Sequence, residues 1–164
     1  MPPFPEFYDP QRIDTLFQPQ TAEAVAAGQS AGLTSSDTDQ RKIALLLVDA
    51  QVDFIHSTGT LSVPGAVEDT RRTIEWIYTH AAQITTIAAS LDSHIPRQIF
   101  FSTWWTDSDG NAPAPYTAIS SDDVENGRWI PRYQPEWSRE YVKKLEFQAK
   151  KLLMIWPFHT MIGT

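Results

Sequence analysis

The chain has 164 residues, which is the length of one domain with an additional arm. Its net charge of −7 argues against a nucleic-acid partner because an acidic surface repels phosphate, and its lack of cysteine excludes disulfide bonds and cysteine-bound metal ions. Residues 1–30 contain no apolar stretch of signal-peptide length, and the longest aliphatic run, residues 43–48, is too short to span a bilayer. We therefore expect a cytoplasmic protein that binds a small molecule and has no membrane partner.

Residues 1–40 differ from the rest in composition and predict an N-terminal arm. The first ten residues hold four prolines and three aromatic side chains, which indicates a segment lying on another surface. Residues 21–27 predict a short helix, with Gly28 placed to end it. Residues 30–40 are rich in Ser, Thr and Asp and predict a loop.

From residue 41 onward the pattern predicts an α/β domain that runs to residue 164. The apolar run 43–48 indicates a strand covered on both faces, residues 66–82 have apolar positions at helical spacing, and residues 84–91 indicate a second strand. The order strand, helix, strand predicts a right-handed βαβ unit with a parallel sheet. Residues 49–65 are expected to form the loop between the first strand and the helix. This βαβ unit would be the first half of the domain.

The second half is less regular. Residues 99–101 predict a short strand, and the stretch 102–135, rich in proline and aspartate, predicts a surface excursion of the kind that forms lids or interface arms. Residues 137–151 return to helical spacing, and residues 152–156 predict the third strand. The apolar side chains of that helix fall on one stripe: Trp137, Tyr141, Leu145 and Ala149.

Polar side chains follow each of the three longer predicted strands. Asp49 follows the first strand, Asp92 and His94 the second, and His159 the third. Because ligands bind beyond the carboxyl ends of parallel strands, these residues are expected to converge on one crevice. Asp49 could act there as a general base, or it could cap or tie a loop.

One carboxylate and two imidazoles suit zinc, manganese or ferrous iron, and they leave coordination positions open. The alternative is that each histidine is a hydrogen-bonded structural residue, which is the interpretation we give to His56 and His80. Phe54 and Trp156 are close in sequence to residues expected at this crevice. Their rings could stack on a flat ring of a substrate, or they could pack in a core.

Four short motifs resemble the nicotinamidase branch of the isochorismatase-like cysteine hydrolases. They are DAQVDF at 49–54, GTLSVPGA at 59–66, DSH at 92–94 and WPFH at 156–159, the last leading into Gly163 and Thr164. Their order matches the family, with a longer stretch before Trp156. The resemblance covers residues 42–164.

The resemblance implies a three-layer, Rossmann-like α/β fold with a parallel sheet. It implies that Asp49 is the acid/base member of an Asp-Lys-Cys triad, that Asp92, His94 and His159 bind a metal ion, with zinc favoured, and that Phe54 and Trp156 contact the substrate. The metal ion would hold the ring nitrogen of a nicotinamide-like amide. A cysteine thiolate would attack the carboxamide, ammonia would leave, and water would release the acid.

The chain departs from the family because it has no cysteine and no lysine after His159. We therefore expect the amino-terminal part of a metal-assisted amidohydrolase, with an incomplete sheet and no activity by itself. A homo-oligomer, or another chain that completes the sheet, would cover its bare edge. Two alternatives stay open: a non-catalytic relative that binds a metal ion, a ligand or a protein, and a hydrolase that uses metal-bound water with Asp49 or Asp53 as base.

Overall fold

The structure, a computed structural model, describes residues 4–162 and is a mixed α/β protein. Residues 1–3 of the predicted arm, and Gly163 and Thr164 of the last motif, lie outside the described residues. Chain contacts divide the molecule into two compact units, residues 1–92 and residues 93–164, and each is described by itself. None of the helices within residues 4–162 combines the length and the apolar character needed to cross a bilayer.

The first unit contains the predicted strand, helix, strand order. Its elements are α1 (Thr21–Ser30), β1 (Ala44–Leu47), α2 (Val52–Ile55), α3 (Ala66–His80) and β2 (Thr86–Ala89). The two strands pair in parallel, with Ala44 opposite Thr86 and Leu47 opposite Ala89. The predicted strands and the helix at 66–82 are confirmed. The expected loop at 49–65 contains the additional helix α2.

The prediction that the first strand is covered on both faces is wrong. Leu46 in β1 is 62% exposed, and all four residues of β2 are exposed. The physical reason is that, within residues 4–162, this sheet has only two strands, so little surface is available to cover either face. The three-layer Rossmann-like arrangement is therefore not confirmed, and the structure shows the coarser α/β class.

The N-terminal segment lies against its own unit. The Phe4 ring stacks on Tyr8 with centroids 4.7 Å apart and contacts Tyr78 of α3 at 4.9 Å. The predicted helix at 21–27 is present as α1, but Gly28 lies inside it and does not end it. The helix ends just before Gly32, which adopts a positive φ of 66° that favours glycine.

The second unit is built from short elements joined by turns. They are β3 (Trp105–Thr106), β4 (Ala118–Ile119), α4 (Ser121–Glu125), β5 (Ile130–Pro131), α5 (Pro135–Phe147) and β6 (Leu153–Met154). The predicted third strand is present as β6, but it pairs antiparallel with β4 and does not extend the parallel sheet. The expected strand at 99–101 is reduced to one parallel bridge between Phe101 and Trp156.

The stretch 102–135 supplies four of the eight buried residues in the core cluster of this unit, so its prediction as a surface excursion is wrong. Trp105 and Ile119 are fully buried, and Trp104 is 7% exposed. Burial is compatible with the indole N–H groups because Trp104 Nε1 donates to Ser138 Oγ at 2.9 Å and Trp105 Nε1 donates to the Ile99 carbonyl at 2.6 Å. Proline and glycine turns fold this segment back on itself.

The buried face of helix α5 is not the apolar stripe that the sequence predicts. Ser138 and Val142 are buried, whereas Trp137 and Tyr141 are exposed. The hydrogen bond from Trp104 to Ser138 fixes this rotation, because it requires residue 138 to face the core. Leu145 is the member of the predicted stripe that packs against the core.

Candidate metal centre

The three predicted metal ligands come together in the structure. Asp92, His94 and His159 each offer one ligand atom, and these atoms lie within 4.8 Å of one another. Asp92 is two residues from His94, so local chain geometry places the carboxylate near the first imidazole. Two nitrogen ligands and one oxygen ligand suit zinc, and a three-residue set leaves a position open.

Backbone hydrogen bonds explain why His94 and His159 meet although 64 other residues separate them in the sequence. The His94 N–H donates to the Thr160 carbonyl at 3.1 Å, and the Ile162 N–H donates to the His94 carbonyl at 2.8 Å. These bonds form a parallel bridge between His94 and Met161. A two-point backbone attachment therefore sets the distance between the imidazoles.

Both imidazoles are oriented through Nδ1. His94 Nδ1 lies 2.9 Å from Gln98 Oε1, and His159 Nδ1 lies 2.7 Å from the Pro157 carbonyl oxygen. A carbonyl oxygen only accepts, so Nδ1 is the donor in each pair, and in a neutral imidazole with this tautomer Nε2 carries the lone pair that a metal ion needs. Metal-binding histidines in proteins use this arrangement of outer partners.

Aromatic rings surround the two imidazoles. The His94 ring meets Phe100 and Phe101 edge-on, with centroids 5.1 and 5.5 Å away, and it meets His159 at 4.8 Å. Phe101 is fully buried, and His159 is 6% exposed. This packing limits the rotation of both imidazoles and restricts the access of water to His159.

Thr160 is strained and buried next to His159. Its φ of 47° lies in the left-handed region, where a β-branched residue is an outlier, and its exposed fraction is 8%. Such backbone conformations cost on the order of 1–3 kcal/mol and cluster at functional sites. The same residue accepts the backbone hydrogen bond from His94. The strained turn therefore joins the two predicted histidine ligands.

Asp49, the predicted acid/base residue, belongs to the first unit. Its backbone is also left-handed, with a φ of 51°. Ser90 fixes it at two points: Ser90 Oγ donates to Asp49 Oδ1 at 2.7 Å and accepts from the Asp49 N–H at 3.1 Å. This pair joins the ends of β1 and β2. It is compatible with both roles considered for Asp49, a carboxylate oriented for acid/base chemistry and a residue that ties the loop.

The two predicted ring-contacting residues lie in different units. Phe54 lies on α2 and is half-buried. Trp156 is 39% exposed and meets Tyr116 edge-on, with centroids 6.2 Å apart. Trp156 is therefore accessible to a ligand, and its role and that of Phe54 stay predictions.

Close backbone packing explains one glycine of the second motif. A Cβ on Gly59 would lie 2.7 Å from the Val52 carbonyl oxygen, nearer than real Cβ atoms approach, so the loop requires glycine there. In the same loop, the Asp53 carboxylate accepts from Thr60 Oγ1 at 3.1 Å. The structure therefore gives Asp53 a loop-tying contact, and the alternative that it is a base stays a prediction.

The histidines interpreted as structural each have a local partner. His56 Nδ1 accepts from the Thr58 N–H at 3.1 Å, and its Nε2 lies 3.7 Å from Asp14. Hydrogen bonds from the Ser57 side chain and from the Ser57 N–H lower the pKa of the same Asp14 carboxyl. His80 Nδ1 bonds the Trp76 carbonyl at 2.8 Å, one turn earlier in α3.

Three residues at the site were missed by the sequence analysis. Gln51 bonds the backbone of Asp92, Gln98 orients His94, and Thr160 joins the two histidines. Gln51 lies inside the first motif, so its position was a usable signal. Gln98 and Thr160 lie in irregular segments where no spacing rule points to them.

No family model, no curated protein and no solved structure matches the chain. The family resemblance therefore depends on the four motifs alone.

Proposed function

We propose that the chain binds a divalent metal ion through Asp92, His94 and His159, with zinc favoured and manganese or iron as further candidates. The observation that carries the proposal is the approach of three ligand atoms to within 4.8 Å of one another. The Nδ1 partners of both histidines support it, because they leave Nε2 as the coordinating atom.

We further propose that this site belongs to an amidohydrolase of the nicotinamidase type, which converts a ring carboxamide to its acid and ammonia. A bound metal ion would supply an electrophilic position for the ring nitrogen. Asp49 would accept the proton of the thiol and pass it to the leaving nitrogen. The hydrogen bond from Ser90 would fix the orientation of the Asp49 carboxylate. Trp156, which is exposed, would contact the ring.

The nucleophile would come from outside residues 1–164, because these contain no cysteine. In the proposed step a thiolate sulfur bonds the carboxamide carbon and the C–N bond breaks. The leaving NH₂ group takes the proton that Asp49 accepted from the thiol and departs as ammonia. Water then cleaves the thioester and releases the acid and the thiol. The chain alone is expected to release no ammonia.

Metal binding is tested by titrating the metal-free chain with zinc in a calorimeter. The chain is expected to bind one ion. Loss of an outer partner of a metal ligand weakens metal binding by about 10- to 100-fold. His94→Ala and His159→Ala remove proposed ligands themselves, so each should weaken zinc binding by more than that. The matched control is His80→Ala, since His80 has its own partner on α3 and should leave affinity unchanged. Equal affinity in all four proteins would refute the site.

The amide reaction is tested by ammonia release from nicotinamide. The zinc-loaded chain is assayed alone and as a complex purified from cells by a tag on the chain. Release by the complex but not by the chain alone supports the proposal. Robust release by the cysteine-free chain would overturn the role of the external thiol.

A second candidate is a non-catalytic metal-binding module that acts through protein contacts. The exposed aromatic pair of α5, Trp137 and Tyr141, favours it, since their rings lie 5.2 Å apart and both are at the surface. This candidate predicts that the purified complex contains a partner and zinc yet releases no ammonia. Replacing both residues by serine should then remove the partner without changing the zinc content.

A further inference from the structure

The N-terminal segment of the first unit borders a cavity of about 580 Å³, together with residues of α1 and α3. Sites for small molecules have volumes of about 300–1,000 Å³, so this cavity has room for one. None of its lining residues is a proposed metal ligand. Most of the wall is apolar, and its larger side chains are Phe7, Tyr8, Ile13, Phe17, Ile74 and Tyr78.

One short turn places two opposite charges at the opening of this cavity. Asp9 and Arg12 both line the cavity, and both side chains are exposed. They belong to the 3₁₀ turn Pro10–Arg12, which Asp9 caps by accepting the Gln11 N–H at 2.9 Å through Oδ1. Residues three positions apart in a 3₁₀ turn lie on the same side. A ligand in the cavity would therefore meet the carboxylate and the guanidinium together.

No other side chain neutralises these two charges. Among the residues that the structure describes, 4–162, neither Asp9 nor Arg12 takes part in an ion pair. The turn uses one carboxylate oxygen of Asp9, and the second oxygen stays available as an acceptor. Arg12 offers a fork of N–H donors that suits a carboxylate. The complementary head group is therefore one that carries an ammonium group and a carboxylate side by side.

We propose that this cavity binds a small zwitterion with a large apolar body, of the kind that an aromatic α-amino acid provides. The ligand carboxylate would bind the Arg12 guanidinium, and the ligand ammonium would bind the Asp9 carboxylate. The ring of the ligand would lie among the aromatic side chains of the wall, which favour edge-to-face and offset-stacked contacts. The proposal does not depend on the proposed metal site, because the two share no residue.

Three ligands with the same indole ring separate the contributions of the two charges. L-tryptophan carries both charges, tryptamine lacks the carboxylate, and indole-3-propionate lacks the ammonium group. Each is titrated against the full chain and followed by ligand-observed NMR. Tryptophan should bind about tenfold more tightly than either analogue, because each analogue loses one hydrogen-bonded charge. No saturable binding of tryptophan, or binding of either analogue that is as tight, would overturn the proposal.

Two substitutions assign each charge of the ligand to one side chain. Arg12→Gln should weaken tryptophan and indole-3-propionate about tenfold and leave tryptamine unchanged. Asp9→Asn keeps a residue that can cap the turn, and it should weaken tryptophan and tryptamine but not indole-3-propionate. The control is Arg41→Gln, since Arg41 is exposed and lies outside the cavity wall. Equal weakening of all three ligands by Arg12→Gln would contradict the assignment, because it would indicate general damage to the cavity.

A pair of substitutions on α1 tests where the ligand binds. Ala24 is exposed and lines the cavity, so Ala24→Phe should occupy the space and abolish tryptophan binding. Ala22→Phe is the matched control, since Ala22 is exposed on the same helix but does not line the cavity. Circular dichroism and thermal unfolding check that both variants fold. Wild-type affinity for tryptophan in the folded Ala24→Phe variant would overturn the proposed location.

Discussion

The side chain of Gln51 makes a reciprocal pair of hydrogen bonds with the backbone of Asp92. Its Nε2 donates to the Asp92 carbonyl at 3.0 Å, and its Oε1 accepts from the Asp92 N–H at 2.6 Å. Gln51 follows β1 and Asp92 follows β2, so this pair connects the ends of the two parallel strands. It also fixes the backbone of the carboxylate predicted to bind the metal ion.

Replacing Gln51 by leucine should destabilise the first unit by about 1–3 kcal/mol, because both backbone groups of Asp92 lose a partner. Gln51→Glu keeps the acceptor but sets a carboxylate oxygen against the Asp92 carbonyl oxygen, so it should also destabilise the unit. The measurement is urea unfolding followed by far-ultraviolet circular dichroism, with the exposed Gln83→Leu as a control. Wild-type stability in either Gln51 variant would contradict the two-bond interpretation.

Two glycine-to-alanine substitutions should have opposite effects. Gly59→Ala should cost about 1–3 kcal/mol, since its Cβ would press on the Asp53 and Val52 backbone. Gly28→Ala should stabilise by about 0.5–1 kcal/mol, because it lies within α1 and its Cβ would meet nothing within 4 Å. Thermal unfolding of both variants checks the contrast, and the same sign for both would refute it.

Acid should remove the stabilisation that Asp123 provides to α4. Burial raises the pKa of Asp123, but hydrogen bonds from Ser120 and the Arg128 guanidinium outweigh burial and lower the pKa below its usual value. A carboxyl with a lowered folded-state pKa stabilises fully above its unfolded pKa of about 3.9 and loses this as pH falls through the folded value. The stability difference between wild type and Asp123→Ala, about 1 kcal/mol near neutral pH, should therefore shrink in acid.

A pH series of urea unfolding curves from pH 7 to pH 2 tests this expectation. The difference should stay constant above about pH 5 and then decline. A difference that grows on acidification would mean that the pKa shift has the opposite sign.

Ser138→Ala should destabilise the second unit by about 1–3 kcal/mol. The hydroxyl accepts from Trp104 Nε1 and donates to the Tyr133 carbonyl at 3.0 Å, so its removal leaves buried polar groups without these partners. A double-mutant cycle with Trp104→Phe should show a coupling of about 0.5–3 kcal/mol. Strict additivity of the two substitutions would show that the hydrogen bond contributes nothing.

Zinc should raise the melting temperature of the chain, and a chelator should reverse the effect. Free zinc at 100 times the dissociation constant adds about 2.7 kcal/mol if only the folded state binds. Differential scanning fluorimetry with and without zinc measures the shift. The His94→Ala variant should show no shift in melting temperature. A shift of the wild-type size in that variant would show that zinc binds at another position.

The first half of the chain was predictable because its signals are local. The apolar run before Asp49 and the helical spacing of residues 66–82 each fix one element, and both are present. The sequence predicted that His94 and His159 lie close together because both were expected at the ends of parallel strands. They do lie close together, but parallel strands of one sheet are not the reason. They meet through a backbone bridge beyond β6, since β6 itself is antiparallel to β4.

The second half was less predictable because its structure depends on contacts between distant residues. The buried face of α5 is selected by the hydrogen bond between Trp104 and Ser138, 34 positions apart, and no helical pattern contains that information. The segment 102–135 has the composition of a loop, yet its tryptophans pack into a core.

The exposure of the β1–β2 sheet and the burial of the core in the second unit have a consequence for how each unit opens. The β1–β2 ladder has four pairs, and its side chains are largely in contact with solvent, whereas Trp105 and Ile155 are fully buried. Amide protons of Leu46 and Ile87 should therefore exchange with deuterium through frequent local opening. Amides around Trp105 should exchange slowly and resist proteolysis, so protection would be concentrated in the segment that composition describes as a loop.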